Sequence, residues 1–255
     1  MSYLRWEKEF LFQYLVAALL LFLSLLGFLL TLRQTLKSFY DFPPWLADLS
    51  PIFAVLALPL FFKYYTYLYD FPNLFLFTLG FLLIVTQRTF PFYLIFILAA
   101  FNKETSLILI ALYLVRNYER LPRKTLIAQL LSLGLIWAVI MAILKIAYSD
   151  NPGSWLEFHL LNHNLRLISD PWTLAYLFAF STGWWLLVSH HWVSKSIFLR
   201  HGLLITLLPL VILAALFGNL DELRMYYEAL PFLFLLSMHT IAELYGINLA
   251  LKYQN

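Results

Sequence analysis

Cysteine is absent from the 255 residues, which removes disulfide frameworks, thiolate metal sites and thiol nucleophiles. Glycine is scarce, with eight residues in all, so close helix packing through G-x-x-x-G stripes has little to work with. No glycine-rich dinucleotide fingerprint, Walker loop or G-x-S-x-G nucleophile motif occurs, and nothing calls for a cofactor. Charge is short as well. Only 12% of residues are charged and 62% are hydrophobic, whereas a soluble domain carries about 25% and 45–50%. The net charge is only +3, and the basic residues fall in short clusters between apolar runs. That pattern orients a membrane protein; it does not describe a nucleic-acid surface.

What the chain does have is apolar blocks, at 10–32, 50–66, 68–86, 90–101, 105–115, 125–148, 171–189, 202–218 and 225–243. Many approach the roughly 20 residues that cross a hydrocarbon layer. The expected fold is all-α, a polytopic integral membrane helical bundle forming one transmembrane domain over 1–255. Eight or nine transmembrane helices are expected, with short broken helices and an interfacial amphipathic helix. "LVAALLLFLSLLGFLLTL" is too long for a cleavable signal and reads as a retained span. Pro43, Pro44, Pro51, Pro72, Pro91, Pro122, Pro152 and Pro171 stand at block edges, whereas Pro59, Pro209 and Pro231 lie inside blocks and predict kinks.

Loop 116–124 carries Arg116, Arg120, Arg123 and Lys124 against Glu119, and loop 190–201 carries Lys195, Arg200 and three histidines. Both are expected in the cytoplasm. Segments 149–170 and 218–223 then face outward. The first half depends on "LAAFNKETSLIL" (98–109), where Asn102, Lys103, Glu104 and Thr105 interrupt an apolar run. If 90–115 is one helix, it buries a charged pair near mid-membrane and there are eight crossings. If it is two short helices, "NKET" is a turn on the outer side and there are nine. Turn preferences of Asn and Thr and the cost of a buried charge favour the turn.

Four polar constellations are candidates for chemistry. Lys103 offers a cation to a phosphate, with Asn102 beside it and Glu104 handling protons. On a surface helix over 154–168, His159, Asn162, His163 and Arg166 share one face by their spacing, with Trp155 and Leu165 turned to lipid or protein. "HLLNH" has leucine where a zinc protease needs glutamate, so no metal site is expected there. Arg224 and Glu228 are spaced i,i+4 at the start of the last block. Asp70, before Phe-Pro-Asn, is either a helix cap or an acid facing the cavity.

"YDFPNLFLFTLGFLLIV", "YLIFILAAFNKETSLILIALYL" with the basic loop after it, and "ELRMYYEALPFLFLL" together resemble uncharacterised bacterial membrane proteins related to the C-type glycosyltransferases, which use polyprenyl-phosphate sugars. The resemblance covers about residues 50–243. It favours the hairpin over 90–115 and implies a prokaryotic cytoplasmic membrane, membrane lipids and a polyprenyl-phosphate-linked sugar as partners, and a role in cell-envelope glycan assembly. On that resemblance the sugar phosphate rests against Lys103 and Arg224, lined by His159, Asn162, His163 and Glu228, while Glu104 or Asp70 serves as general base. The chain departs from the family in one respect: the catalytic acid of a large outer loop after the first span has no counterpart, the early acids being Glu7 and Glu9. The resemblance therefore implies a member lacking that loop. The alternatives are a fragment of a longer protein, a non-enzymatic lipid-binding or assembly subunit, one half of a site completed by a membrane protein partner, or a small permease.

Overall fold

The computed structural model describes residues 8–58, 67–150, 158–167, 169–247, 249 and 252. It is all-helical, with no strand among the described residues. The helices are α1 (Lys8–Phe39), α2 (Pro44–Ala57), α3 (Asp70–Val85), α4 (Thr89–Asn102), α5 (Ile108–Asn117), α6 (Arg123–Ala147), α7 (Leu165–Leu167), α8 (Pro171–Ser189), α9 (Ile197–Phe217) and α10 (Leu230–Leu244). Short 3₁₀ turns precede α5, at Glu104–Leu107, and α10, at Leu223–Ala229. A π turn at Leu160–Asn164 leads into α7.

Three helices are long and apolar enough to cross a membrane, namely Phe10–Phe39, Arg123–Ala147 and Ile197–Phe217. They give the chain the character of a membrane protein. The expected count of eight or nine transmembrane helices is not supported among the described residues, and several of the apolar blocks are cut short. Block 68–86 ends in a turn at Gln87, whose φ of 59° is left-handed. The Arg88 amide donates back to the Leu83 carbonyl at 2.9 Å, a helix-ending pattern in which glycine is the usual residue. The helices flanking that turn, Asp70–Val85 and Thr89–Asn102, are 16 and 14 residues long.

Block 90–115 is two helices. A continuous helix would set Phe92 and Tyr113 about 31 Å apart, yet their rings stack at 5.2 Å. The chain therefore turns back at "NKET". Tyr113 also donates to Gln129 Oε1 at 2.7 Å and Tyr93 shares a proton with Ser132 at 2.6 Å, pinning both arms to α6.

The bundle is organised around α3, which packs on α1, α4, α5 and the 3₁₀ turn before α10. Phe39, Phe81, Phe198 and Phe232, from α1, α3, α9 and α10, form one aromatic cluster with centroids 4.5–6.3 Å apart. Gly202 permits it. A Cβ there would lie 2.4 Å from Cε1 of the fully buried Phe232 ring. Gly202→Ala is expected to cost about 1–3 kcal/mol through overpacking. Gly134→Ala, where a Cβ meets nothing within 4 Å, should be neutral or stabilise α6 by up to about 1 kcal/mol. Unfolding curves of the two variants in detergent check the contrast.

Candidate functional site

The polar residues of the apolar runs meet at one end of the bundle, around a cavity of about 730 Å³. Asp70 opens α3 and is buried. It does not cap the helix by reaching forward. Its Oδ2 accepts from the Tyr67 amide at 2.8 Å, closing the preceding turn, and from Arg224 Nη1 at 3.2 Å. The guanidinium also donates to Glu222 through Nη2 and lies 4.1 Å from the centroid of the Tyr67 ring, which stacks on Tyr69. Arg224 is thus gripped by two carboxylates and an aromatic face, an arrangement suited to its planar fork.

Lys103 is the extended residue where α4 stops, with φ −159° and ψ 139°. Its ammonium meets Glu228 Oε1 at 3.0 Å. Glu228 is fully buried, and the same oxygen accepts from Asn73 Nδ2 at 2.9 Å and from the Thr105 hydroxyl. Burial works against the Lys103 charge, but the Glu228 carboxylate outweighs it and holds the ammonium above the usual lysine range. Glu228 Oε2 is buried without a hydrogen-bond partner among the described residues.

"NKET" is therefore no ordinary capped turn. Lys103 ends α4 through its backbone amide, which donates to the Ala99 carbonyl, and gives the following 3₁₀ turn no side-chain cap. Asn102 Nδ2 instead donates to the Tyr69 carbonyl at 3.1 Å and Thr105 reaches Glu228, so the turn is tied to α3 and to the approach to α10. Glu104 is exposed on the cavity wall. Its backbone carbonyl accepts from Trp137 Nε1 at 3.1 Å, while its carboxylate makes no hydrogen bond or ion pair among the described residues.

Two expected alignments change. Arg224 and Glu228 do not pair with each other, because Leu223–Ala229 winds as 3₁₀. At three residues per turn, positions i and i+4 leave the common face. Arg224 turns to Asp70 and Glu222, and Glu228 to Lys103. The surface helix expected over 154–168 is interrupted. Residues 154–157, Trp155 among them, and Ile168 lie outside the described residues; among the described ones Phe158 and His159 are not helical and winding runs from Leu160, with a π turn first. His159 precedes the helix and lines the cavity, while His163 pairs with buried Asp221 at 2.8 Å. Arg166 and Leu165 are exposed; the Asn162 side chain lies outside the described residues.

Cavity and cluster thus bring together Asp70, Asn102, Lys103, Glu104, His159, Arg224 and Glu228, and leave out His163 and Arg166. Asn73, Thr105 and Glu222 belong to the cluster and were not singled out as site residues from the sequence. Asn73 had a signal, standing one turn after Asp70 on an otherwise apolar helix. Buried Asn164, also missed, organises the neighbouring chain. Its Nδ2 lies 2.8–3.0 Å from the carbonyls of Ala214, Ala215 and Gly218, and its Oδ1 accepts from Leu220 N at 2.9 Å. It stops α9 and starts the segment that delivers Arg224.

The lining is apolar as well as polar, and includes Leu107, Ile108, Leu210, Leu213, Phe217 and Met225. Comparison with protein-family models, curated proteins and solved structures finds no match.

Proposed function

We propose that the chain is a glycosyltransferase-like membrane protein that holds a polyprenyl-phosphate-linked sugar in this cavity. What supports the reading is one amphiphilic space lined by Lys103, Arg224 and the acid Glu104 together with aliphatic side chains. The volume falls in the roughly 300–1,000 Å³ range of small-molecule sites. Lys103 uses one of its three N–H groups on Glu228 and keeps the others for a ligand. Arg224 Nε has no partner among the described residues but is buried, so the guanidinium must turn to offer it. A phosphate takes these donors, sugar hydroxyls donate to the carboxylates, and the prenyl chain lies against the apolar lining.

On this reading the acceptor hydroxyl gives its proton to Glu104 as its oxygen bonds to the anomeric carbon. The bond from that carbon to the phosphate oxygen breaks, and its electron pair leaves on the phosphate beside Lys103 and Arg224. Asp70 positions Arg224. On this reading "NKET" lies on the outer side and 116–124 in the cytoplasm.

The test is binding of a polyprenyl phosphate to purified protein in detergent. Arg224→Met should weaken binding about 10- to 100-fold, the worth of a charge-assisted hydrogen bond. Lys103→Met combined with Glu228→Gln, which neutralises both partners of the pair, should do the same. Arg120→Ala, in the basic segment, should leave it unchanged. Equal affinity in all the variants would remove the reading.

A further inference from the structure

The opposite end of the bundle holds a second polar cluster that the cavity does not use. α8 stops at Ser189 and the chain turns sharply. His190 leaves the helix with ψ 124°, and His191 takes a left-handed conformation at φ 47°, uncommon for a residue with a side chain. The turn is held from below by Lys195, whose buried ammonium donates to the carbonyls of Leu187 and Val188 at 2.6 and 2.8 Å. As a result both imidazoles stand on one side of the chain, stacked at 4.2 Å. Glu243, in the last turn of α10, comes up beside them, and its Oε1 lies 2.7 Å from His191 Nδ1.

We propose that His190, His191 and Glu243 form a site for a divalent transition-metal ion of the zinc, cobalt or nickel kind. One ligand atom from each residue lies within 4.8 Å of the others. Metal–ligand bonds of about 2.0–2.2 Å set such atoms roughly 3.3 Å apart in a tetrahedron. The His191–Glu243 pair must open slightly and the His190 ring must turn toward them. All three side chains are exposed, so these rotations displace no packed neighbour. Two imidazoles and one carboxylate suit borderline ions; magnesium and calcium prefer all-oxygen shells. Three protein ligands leave at least one position to water.

The site joins two pieces of chain far apart in sequence. With the metal bound, the 190–196 connection between α8 and α9 is fastened to the end of α10. This inference does not rest on the lipid-phosphate reading, since none of its residues lines that cavity.

The experiment uses the full chain without a polyhistidine tag, in detergent. Co²⁺ is titrated with its visible absorption bands as readout, and Zn²⁺ by calorimetry. One equivalent per chain is expected. His191→Ala and Glu243→Gln should each weaken binding by about tenfold or more, since even changes outside the ligand shell reach that size. The double variant His159→Ala/His163→Ala, which removes the other histidine pair, should bind as the parent does. Metal should also slow proteolysis within 190–196 in the parent and not in His191→Ala. No saturable binding, or binding unmoved by both His191→Ala and Glu243→Gln, overturns the proposal.

Discussion

Glu228→Ala is expected to cost about 3–5 kcal/mol of stability, the size seen when one partner of a buried ion pair is removed. The Lys103 ammonium, 14% exposed, would lose its contact with Glu228, and Asn73 and Thr105 would each lose an acceptor. The pair itself is not expected to contribute that much. Desolvating two charges offsets most of their attraction, so removing both can be nearly neutral. Lys103→Met/Glu228→Gln keeps an amide oxygen for Asn73 and Thr105 and leaves no orphaned charge. It should unfold within about 1 kcal/mol of the parent. Denaturant titrations in detergent of the parent, the two single variants and the double variant measure the coupling directly. A loss below about 1 kcal/mol for Glu228→Ala would mean that water reaches Lys103 freely, and that the cluster is not the dry junction described here.

That junction also shows where the sequence could be read and where it could not. The interruption at "NKET" was legible, because four polar residues in an apolar run cannot be solvated at mid-membrane without partners. The partners were not legible. The i,i+4 spacing of Arg224 and Glu228 presumes α-helical winding, and the 3₁₀ geometry of Leu223–Ala229 sends the two side chains to different neighbours. His159 and His163 keep an i→i+4 backbone bond, and what sequence could not show is that His163 is taken by Asp221. Hydropathy counted blocks correctly as apolar but could not see that several stop short. The turn at Gln87 uses a left-handed residue that is not glycine, so no glycine marks it. Asn164 was invisible for a related reason: its acceptors lie about 50 residues away and are backbone carbonyls. Backbone acceptors leave no trace in side-chain identity.

Glu104→Gln is expected to slow sugar transfer by about 10²–10⁴-fold, the usual contribution of a positioned general base, equivalent to about 2.7–5.4 kcal/mol of barrier. Glu104 and Asp70 were interchangeable candidates in the sequence, and their surroundings separate them. Asp70 is 2% exposed, and its Oδ2 is shared between the Tyr67 amide and Arg224. A carboxylate held in this way orients its partner; taking up a proton would weaken the contact that positions Arg224. Glu104 stands exposed on the cavity wall, its carboxylate without a hydrogen bond or ion pair among the described residues, and can meet an acceptor hydroxyl. Glutamine has nearly the same shape and cannot take the proton, so the fold and donor binding should survive. Binding of the lipid phosphate should hold or tighten, because one negative charge facing the phosphate is gone. Asp70→Asn should show the reverse pattern, with weaker binding from a loosened Arg224 and a smaller change in the transfer step at saturating donor. The measurement is transfer of a radiolabelled sugar from polyprenyl phosphate by protein in lipid nanodiscs, with donor affinity determined alongside. A Glu104→Gln variant as fast as the parent places the base elsewhere. A parent that binds the lipid phosphate yet transfers nothing makes the cavity a carrier's site, and the enzymatic half of the proposal falls while the binding half stands.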